Sequence, residues 1–485
     1  MPRKLLVIPS ARRPALATRA VRSYFAHASR SGADLDIVVV SDDEQTDGDY
    51  SLHLASVDVG AAGRLFHLSQ PERSSLADLM ALSTGSAADV WYDALCGKPD
   101  GLGREDAYGA ARNVGLLIAS SFGVSEVFFA DDDTLCEPHG DEVASTSGNF
   151  ACYGHDGSEV RLSSEPWEDA SPCLRFNFFD SQVWALRQEP VVARPEETSA
   201  CHHYAATGLG PSGISLSSFG SRGDSGFRSN APWLLSANAT TRTHLLNREN
   251  DCIEAMRSGY VYRRVERPTF SHCIDTMSMA CCIDTTRFLL PFMARGRGED
   301  LVRSAALQRF WPRTFVAHLP VTILHAPPTP RVRERAIYSI GISDLMIALT
   351  HSDLASGLSG QAGASEFGRR LTTVAADGPA AVIRLIRASL VLIVSQRVER
   401  LMASLRSDLG RSAYWTSEIR LTITRFGDQL RSISDDFERC LTRDLGDLQD
   451  VCATLSRFGT LMHCWSEAMH TSQQSTHPRP ISVTI

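Results

Sequence analysis

The sequence predicts an α/β protein, a mostly parallel sheet flanked by helices, with a C-terminal all-helical domain behind it. Three observations carry this. Short continuous apolar runs alternate with helical spacing in the first third: "KLLVIPS", "LDIVVVSDDE" and "VSEVFFADDD". Strands buried on both faces read this way, because helices cover a parallel sheet on either side. Each run also ends on a polar cluster, and in such sheets ligands sit at the carboxyl ends of the strands. Beyond a Pro-rich stretch, "HAPPTPR", the pattern is helical, which sets a boundary near residue 330 and domains of 1–330 and 331–485.

In chain order, residues 4–10 form the first strand and 14–30 a helix. "LDIVVVSDDE" is the second strand, and "AYGAARNVGLLIASSFG" is a helix with a glycine stop that leads into "VSEVFFADDD". Residues 140–250, rich in Gly, Ser, Asn and Thr, predict short strands and long loops that shape a second cleft. "DCIEAMRSGYVYRRVE" reads as helix then strand, and "RGRGEDLVRSAALQRF" as a loop opening onto a helix at Glu299 and Asp300. "FVAHLPVTILHA" is a strand carrying His318 and His325. From about 335 to 470 apolar residues recur at three- and four-residue spacing, the mark of amphipathic helices. "AAVIRLIRASLVLIVSQRVERL" threads arginines through an apolar helix. It reads as a helix packed on its own bundle, with a membrane surface or a partner as the alternative.

Composition narrows the function classes. With 43% hydrophobic and 21% charged residues the 485-residue chain is globular rather than disordered. A net charge of -8 and the lack of a basic domain predict no nucleic-acid partner. The start is too short in apolar residues for a signal peptide, and no run of about 18 apolar residues occurs, so no integral membrane segment is expected. The 12 cysteines contain no C-x-x-C pair and read as reduced thiols of a cytoplasmic protein. Neither "CHH" at 201–203 nor Cys281-Cys282 has a second pair at zinc-site spacing.

Asp131, Asp132 and Asp133 pose the main question. Like charges at neighbouring positions repel and raise one another's pKa, so three acids at a strand exit need a compensating cation or polar ligand. A divalent metal would serve, since Mg²⁺ and Mn²⁺ are held by one or two carboxylates plus a substrate's phosphates.

Several pieces, taken in order, resemble the GT-A-fold, nucleotide-sugar-dependent glycosyltransferases, especially family 2: "VIPS", "VVVSDD", "ARNVG", "FFADDD" and "RGEDL". The resemblance covers roughly residues 4–140 and 285–330. It implies transfer of a sugar from a nucleotide-sugar donor to an acceptor, with Mn²⁺ or Mg²⁺ as cofactor. Residues 1–140 would be the nucleotide-sugar half and 141–330 the acceptor half. Pro9, Ser10 and Arg12 with Asp42 and Asp43 would hold the base and ribose, and Arg112 and Asn113 would face the donor. Asp131 and Asp132 would touch the donor, and Asp133, Asp131 and His325 would bind the metal. Asp300, with Glu299 beside it, would be the base of an inverting transfer. The acceptor is a small molecule, peptide or glycan, and the C-terminal helices are the expected place for contacts between copies. Two readings compete: a sugar-1-phosphate nucleotidyltransferase, disfavoured because "VIPSARRP" has no glycine, and a non-catalytic scaffold. "GDSG" at 223–226 looks like a protease serine loop but lacks the β-barrel context, and is read instead as bordering the acceptor cleft.

Overall fold

A computed structural model describes residues 3–42, 46–60, 63–97, 107–140, 151–153, 159–162, 177–188, 213–224, 235, 246, 260–265, 269–271, 278–327, 340–408 and 412–474. The first half alternates as the apolar runs dictate: β1 (Lys4–Ser10), α1 (Pro14–Ser31), β2 (Leu35–Ser41), α2 (Asp47–Leu54), β3 (Gly63–Leu68), α3 (Gln70–Thr84), α4 (Ala88–Cys96), α5 (Tyr108–Ser121) and β4 (Glu126–Ala130). Proline in its first turn starts α1, and Gly32 ends it in the left-handed conformation at φ 69°, donating its N–H to the Ala28 carbonyl. A capping box between Ser69 and Glu72 opens α3.

β1, β2, β3 and β4 lie in the order β3-β2-β1-β4, all parallel. The chain winds outward from β1 to β3, then crosses back to place β4 on the other side of β1. The reversal leaves a crevice beyond the carboxyl ends of β1 and β4, the place where open α/β sheets bind ligands. Pro9 contributes: it has no N–H to donate, and the β1–β4 ladder stops at Val7, so the two strands part toward that end.

Later strands make the sheet mixed, which corrects the expectation of a mostly parallel one. They are β5 (Thr134–Gly140), β6 (Ala151–Tyr153), β7 (Glu159–Leu162), β8 (Gly213–Asp224), β9 (Tyr260–Arg264), β10 (Thr269–Ser271), β11 (Ala280–Asp284) and β12 (Thr314–His325), with α6 (Phe178–Leu186) and α7 (Glu299–Phe310) among them. β11 runs antiparallel between β4 and β8, and β12 is parallel to β8 but antiparallel to β5 and β10. An apolar pattern marks where these strands lie but does not encode their direction. The β8–β12 register shifts between Leu319 and Thr322, around Pro320, where a residue without an N–H fits a bulge. β8 and β12 nevertheless point the same way as β1 and β4, so their carboxyl ends share one edge with the crevice.

The helical stretch is α8 (Ile342–Thr350), α9 (Gly360–Ala376), α10 (Pro379–Asp408), α11 (Ala413–Asp435), α12 (Phe437–Leu445) and α13 (Leu448–Gln474). The expected boundary near residue 330 falls outside the described residues. The apolar core is continuous across it: one buried cluster runs from Leu5 and Val7 through Trp91 and Leu117 to Phe367, Ile386 and Trp465. α5 lies between sheet and α13. Its Gly115 lets it approach the sheet, since a Cβ there would stand 2.9 Å from the side chains of Val7 and Phe129. On its other side Ser120 donates to the Met469 carbonyl at 2.7 Å and Ser472 to the Leu117 carbonyl at 2.9 Å. Trp91 and Trp465 stack with centroids 6.2 Å apart. α1 and α6 cover the opposite face around Tyr24, Phe128, Phe178 and Phe179.

Two consequences are measurable. Trp465→Ala opens a cavity in the shared core and should destabilise the whole chain by about 3–5 kcal/mol in one cooperative denaturant transition. A loss confined to a separate, earlier transition would show that the C-terminal helices form their own unit. The second concerns His27 of α1, whose Nε2 accepts the Phe178 backbone N–H at 2.9 Å. Burial, with help from Arg30, lowers its pKa to about 4. The folded value lies below the unfolded one, so the stabilisation is whole above about pH 6.5 and is lost as pH falls through 4. Its loss should amount to about 3 kcal/mol in unfolding free energies from urea titrations taken across that window. His27→Gln, whose amide oxygen accepts the same bond without titrating, should flatten the dependence; an unchanged slope would remove His27 as its source.

Candidate active site at the carboxyl ends of the strands

The residues singled out from the sequence come from five distant segments, and most of them meet at one edge of the sheet. Ser10 ends β1, Asp131 to Asp133 follow β4, Arg112 lies on α5, Glu299 and Asp300 open α7, and His325 ends β12. The acids form a tight turn: the Thr134 N–H reaches the Asp131 carbonyl at 3.0 Å, and the Ala326 N–H reaches that of Asp133 at 2.8 Å.

Charge compensation comes from the chain itself. Asp131 receives Nη2 of Arg112 at 2.8 Å. Asp132 is wholly buried; it accepts a hydrogen bond from Oγ of Ser10 at 2.6 Å and forms an ion pair with Arg13, whose Nη2 lies 2.7 Å away. Asp133 meets Nη1 of Arg13 at 3.3 Å and Nε2 of His325 at 3.1 Å. Burial still pushes Asp132 up to about 7 against the pull of Arg13. For His325, burial lowers the pKa, but the Asp133 bond and charge and the Asp224 carbonyl outweigh it, so the net shift is upward. Two arginines and a histidine whose pKa is shifted upward thus face three acids.

Arg112 also donates through Nη1 to Glu299. It therefore ties α5, the β4 turn and the start of α7 at one buried point, with its guanidinium 5.8 Å from the centre of the Phe292 ring. The next residue, Asn113, fixes the segment leading to α7. Its amide donates to the Phe292 carbonyl at 2.9 Å and accepts the Phe292 N–H at 2.7 Å. Asp93 of α4 binds Arg295 of that segment at 2.5 Å and Arg457 of α13 at 3.4 Å. Gly296 and Gly298 then turn the chain at φ 79° and 87° into α7. Burial raises both Glu299, to about 7, and Asp300, while Arg112 opposes the rise. Glu299 is buried on Arg112. Asp300 is half-buried and receives the backbone N–H groups of Leu301 at 2.9 Å and Ser278 at 3.3 Å.

Sequence reasoning chose Arg12 and missed its neighbour. Arg12 is exposed and takes the left-handed backbone at φ 55°, which costs a non-glycine residue about 1–2 kcal/mol. Arg13 is the one that reaches the acids, and also Tyr108 at 3.1 Å. Tyr50 of α2 was missed as well: its hydroxyl lies 2.6 Å from Ser10 Oγ and accepts the Arg13 N–H at 3.0 Å. The signal was slight, a tyrosine on a short helix behind the second strand. At the end of β2, Ser41 bonds to Asp47 and lies 3.0 Å from Nε2 of His67. Asp42 sits beside them, half-buried; Asp43 lies outside the described residues. Pro9 is buried in β1.

Among the described residues no group of three or more His, Cys, Asp or Glu side chains is placed to hold a metal. Asp131, expected as a ligand, is turned to Arg112. Asp133 and His325 remain. The imidazole gives Nδ1 to the Asp224 carbonyl at 2.5 Å and aims Nε2 at Asp133, the orientation in which a second-shell acceptor fixes a ligating histidine. Two protein ligands suit a cation that arrives with a diphosphate and takes its other ligands from it and from water. In the "GDSG" stretch, expected to border the acceptor cleft, Gly223 (φ 101°) lies so close to His325 that a Cβ would stand 2.3 Å from its carbonyl oxygen. Gly223 and the carbonyl of buried Asp224 therefore seat His325; residues 225 and 226 lie outside the described residues, as do 201–203. Cys281 and Cys282 are buried in β11, and burial pushes the Cys281 thiol up to about 12, as befits core packing.

Arg112→Met should destabilise the chain by about 3–5 kcal/mol at neutral pH, because buried Glu299 and half-buried Asp131 lose their counter-charge together and the cavity left by the guanidinium is itself buried. Arg112→Lys should recover only part of it, lacking the fork that reaches both acids. A change below about 1 kcal/mol for the methionine variant, read from denaturant midpoints, would show that the acids do not depend on this residue.

No protein-family model matches the chain, and no curated protein does.

Proposed function

We propose that the chain is a metal-dependent glycosyltransferase of GT-A type, moving a sugar from a nucleotide-sugar donor to an acceptor hydroxyl with inversion. The supporting observation is convergence. Ser10, Arg112, Asp131 to Asp133, Glu299, Asp300 and His325, chosen from separate stretches of sequence, meet at the strand ends beside the β1–β4 reversal.

In this reading the base and ribose lie over the ends of β1 and β2, near Ser10 and Asp42. The diphosphate lies toward the β4 turn, where Arg13 supplies positive charge. A divalent cation on Asp133 and His325 would add charge that stabilises the departing diphosphate. Arg112 holds Asp131 and Glu299 in place. Asp300 takes the acceptor's hydroxyl proton as that oxygen bonds to the anomeric carbon. The bond from that carbon to the diphosphate oxygen breaks, and its electron pair leaves with the diphosphate. An Asp whose pKa burial has raised is a stronger base than an exposed one, which suits this task. Glu299, already committed to Arg112, is the positioning partner.

Asp300→Asn should lower the transfer rate by about 10²-fold or more at saturating donor while leaving donor affinity unchanged. Asp133→Ala should lose Mn²⁺-dependent donor binding. Near-normal transfer by Asp300→Asn with an inactive Glu299→Gln would exchange the two roles. Release of pyrophosphate from a sugar 1-phosphate and a nucleoside triphosphate, with no sugar transfer, would mark a nucleotidyltransferase instead.

A further inference from the structure

α10 carries a second, independent surface. Among the described residues it is the one helix long and apolar enough to cross a membrane by length and composition, yet only 33% of its most apolar stretch is buried. Ile386, Leu390, Val394 and Leu401 pack inward on the bundle. The other side is open. Of eight large hydrophobic residues exposed among the described ones, three are on this helix: Val391 at 37%, Leu392 at 55% and Met402 at 39%. A fourth, Leu421 at 37%, is on the adjoining α11. Arg384, Arg387, Val391, Met402 and Arg406 follow the three- and four-residue spacing of a single helix face, all exposed, with Glu399 the acid among them.

We propose that this face rests on an anionic lipid surface, lying in the interface rather than spanning it. Spanning would tear Ile386, Leu390 and Val394 from the core and place Arg384 and Arg387 in hydrocarbon. An amphipathic helix with apolar residues between arginines binds an interface by sinking the apolar side chains while the guanidinium groups meet lipid phosphates. Charge selects the occupant. A second copy of the same face would bring arginine against arginine, whereas an anionic bilayer attracts them. α10 holds five arginines, of which Arg397 is paired with Asp344 of α8, against Glu399 and Asp408, in a chain whose net charge is -8. The rest of the molecule is thus repelled by such a surface, which orients it with α10 down.

The test is sedimentation of the intact chain with vesicles of phosphatidylcholine alone or with about 30% phosphatidylglycerol. The chain should sediment with the anionic vesicles only, and less at high salt. Arg384→Gln with Arg406→Gln should weaken binding about five-fold for each arginine removed. Leu392→Ser with Met402→Ser should weaken it further, with thermal melting unchanged in both pairs. No sedimentation, or equal binding to neutral vesicles, overturns the proposal. So does a concentration-dependent dimer in sedimentation velocity that the serine variant dissolves, because a second copy then covers the face.

Discussion

Everything near the proposed site depends on one buried guanidinium. Arg112 stands between Asp131 and Glu299, carboxylates that follow β4 and open α7, two segments far apart in the sequence. Without it, Asp131 of the β4 turn and buried Glu299 at the start of α7 would stand near each other with no counter-charge from α5. With it, the acids become a fixed framework. The same holds in smaller measure for Arg13 at Asp132 and Asp133, so the three consecutive aspartates are compatible with a folded chain before any ligand arrives. An incoming diphosphate would then exchange partners with existing cations instead of creating a charge site from nothing. Preorganised charge of this kind is what lowers the barrier to a charged leaving group's departure.

The C-terminal helices contribute through packing. α13 presses α5 onto the sheet and, through Arg457 and Asp93, holds Arg295 ahead of α7. A buried Asp93 shared by two arginines has directional value: it helps set where the segment 288–298 lies, and with it Glu299 and Asp300. A helical region placed last in the sequence thereby becomes part of the site's support while supplying none of the residues proposed to touch donor or acceptor. Its open α10 face stands apart from that task.

Much of this was legible in the sequence, and for identifiable reasons. β1, β2, β4, α5 and the start of α7 were readable because buried strands are unbroken apolar runs and helices keep their period. Their polar ends marked the site because a strand's carboxyl end is where the sheet meets ligand. The direction of β11 was not legible: four apolar or small residues and a terminal acid mark a buried strand but not which way it runs. Arg13 was overlooked for Arg12 because only the left-handed turn at Arg12 decides which of two adjacent arginines faces inward. The split of roles among the acids was hidden for a similar reason. Asp131 looked like a metal ligand until its distance to Arg112 was known, and no spacing rule reports a partner 19 residues away on another element. The continuity of the core past residue 330 was also invisible, since composition marks where a loop lies and not whether the cores on either side merge.

In the function proposed above, this strand-end cluster receives a nucleoside diphosphate together with a divalent cation. Thermal melting of the chain against uridine, guanosine, cytidine, adenosine and thymidine diphosphates, each with and without Mn²⁺, tests it most directly. Ligand at about a hundred times its dissociation constant stabilises the native state by about 2.7 kcal/mol, enough to raise the melting temperature by several degrees. The account predicts such a rise for at least one nucleotide, and only when Mn²⁺ is present. No rise with any nucleotide, or a rise of equal size without the metal, would contradict it.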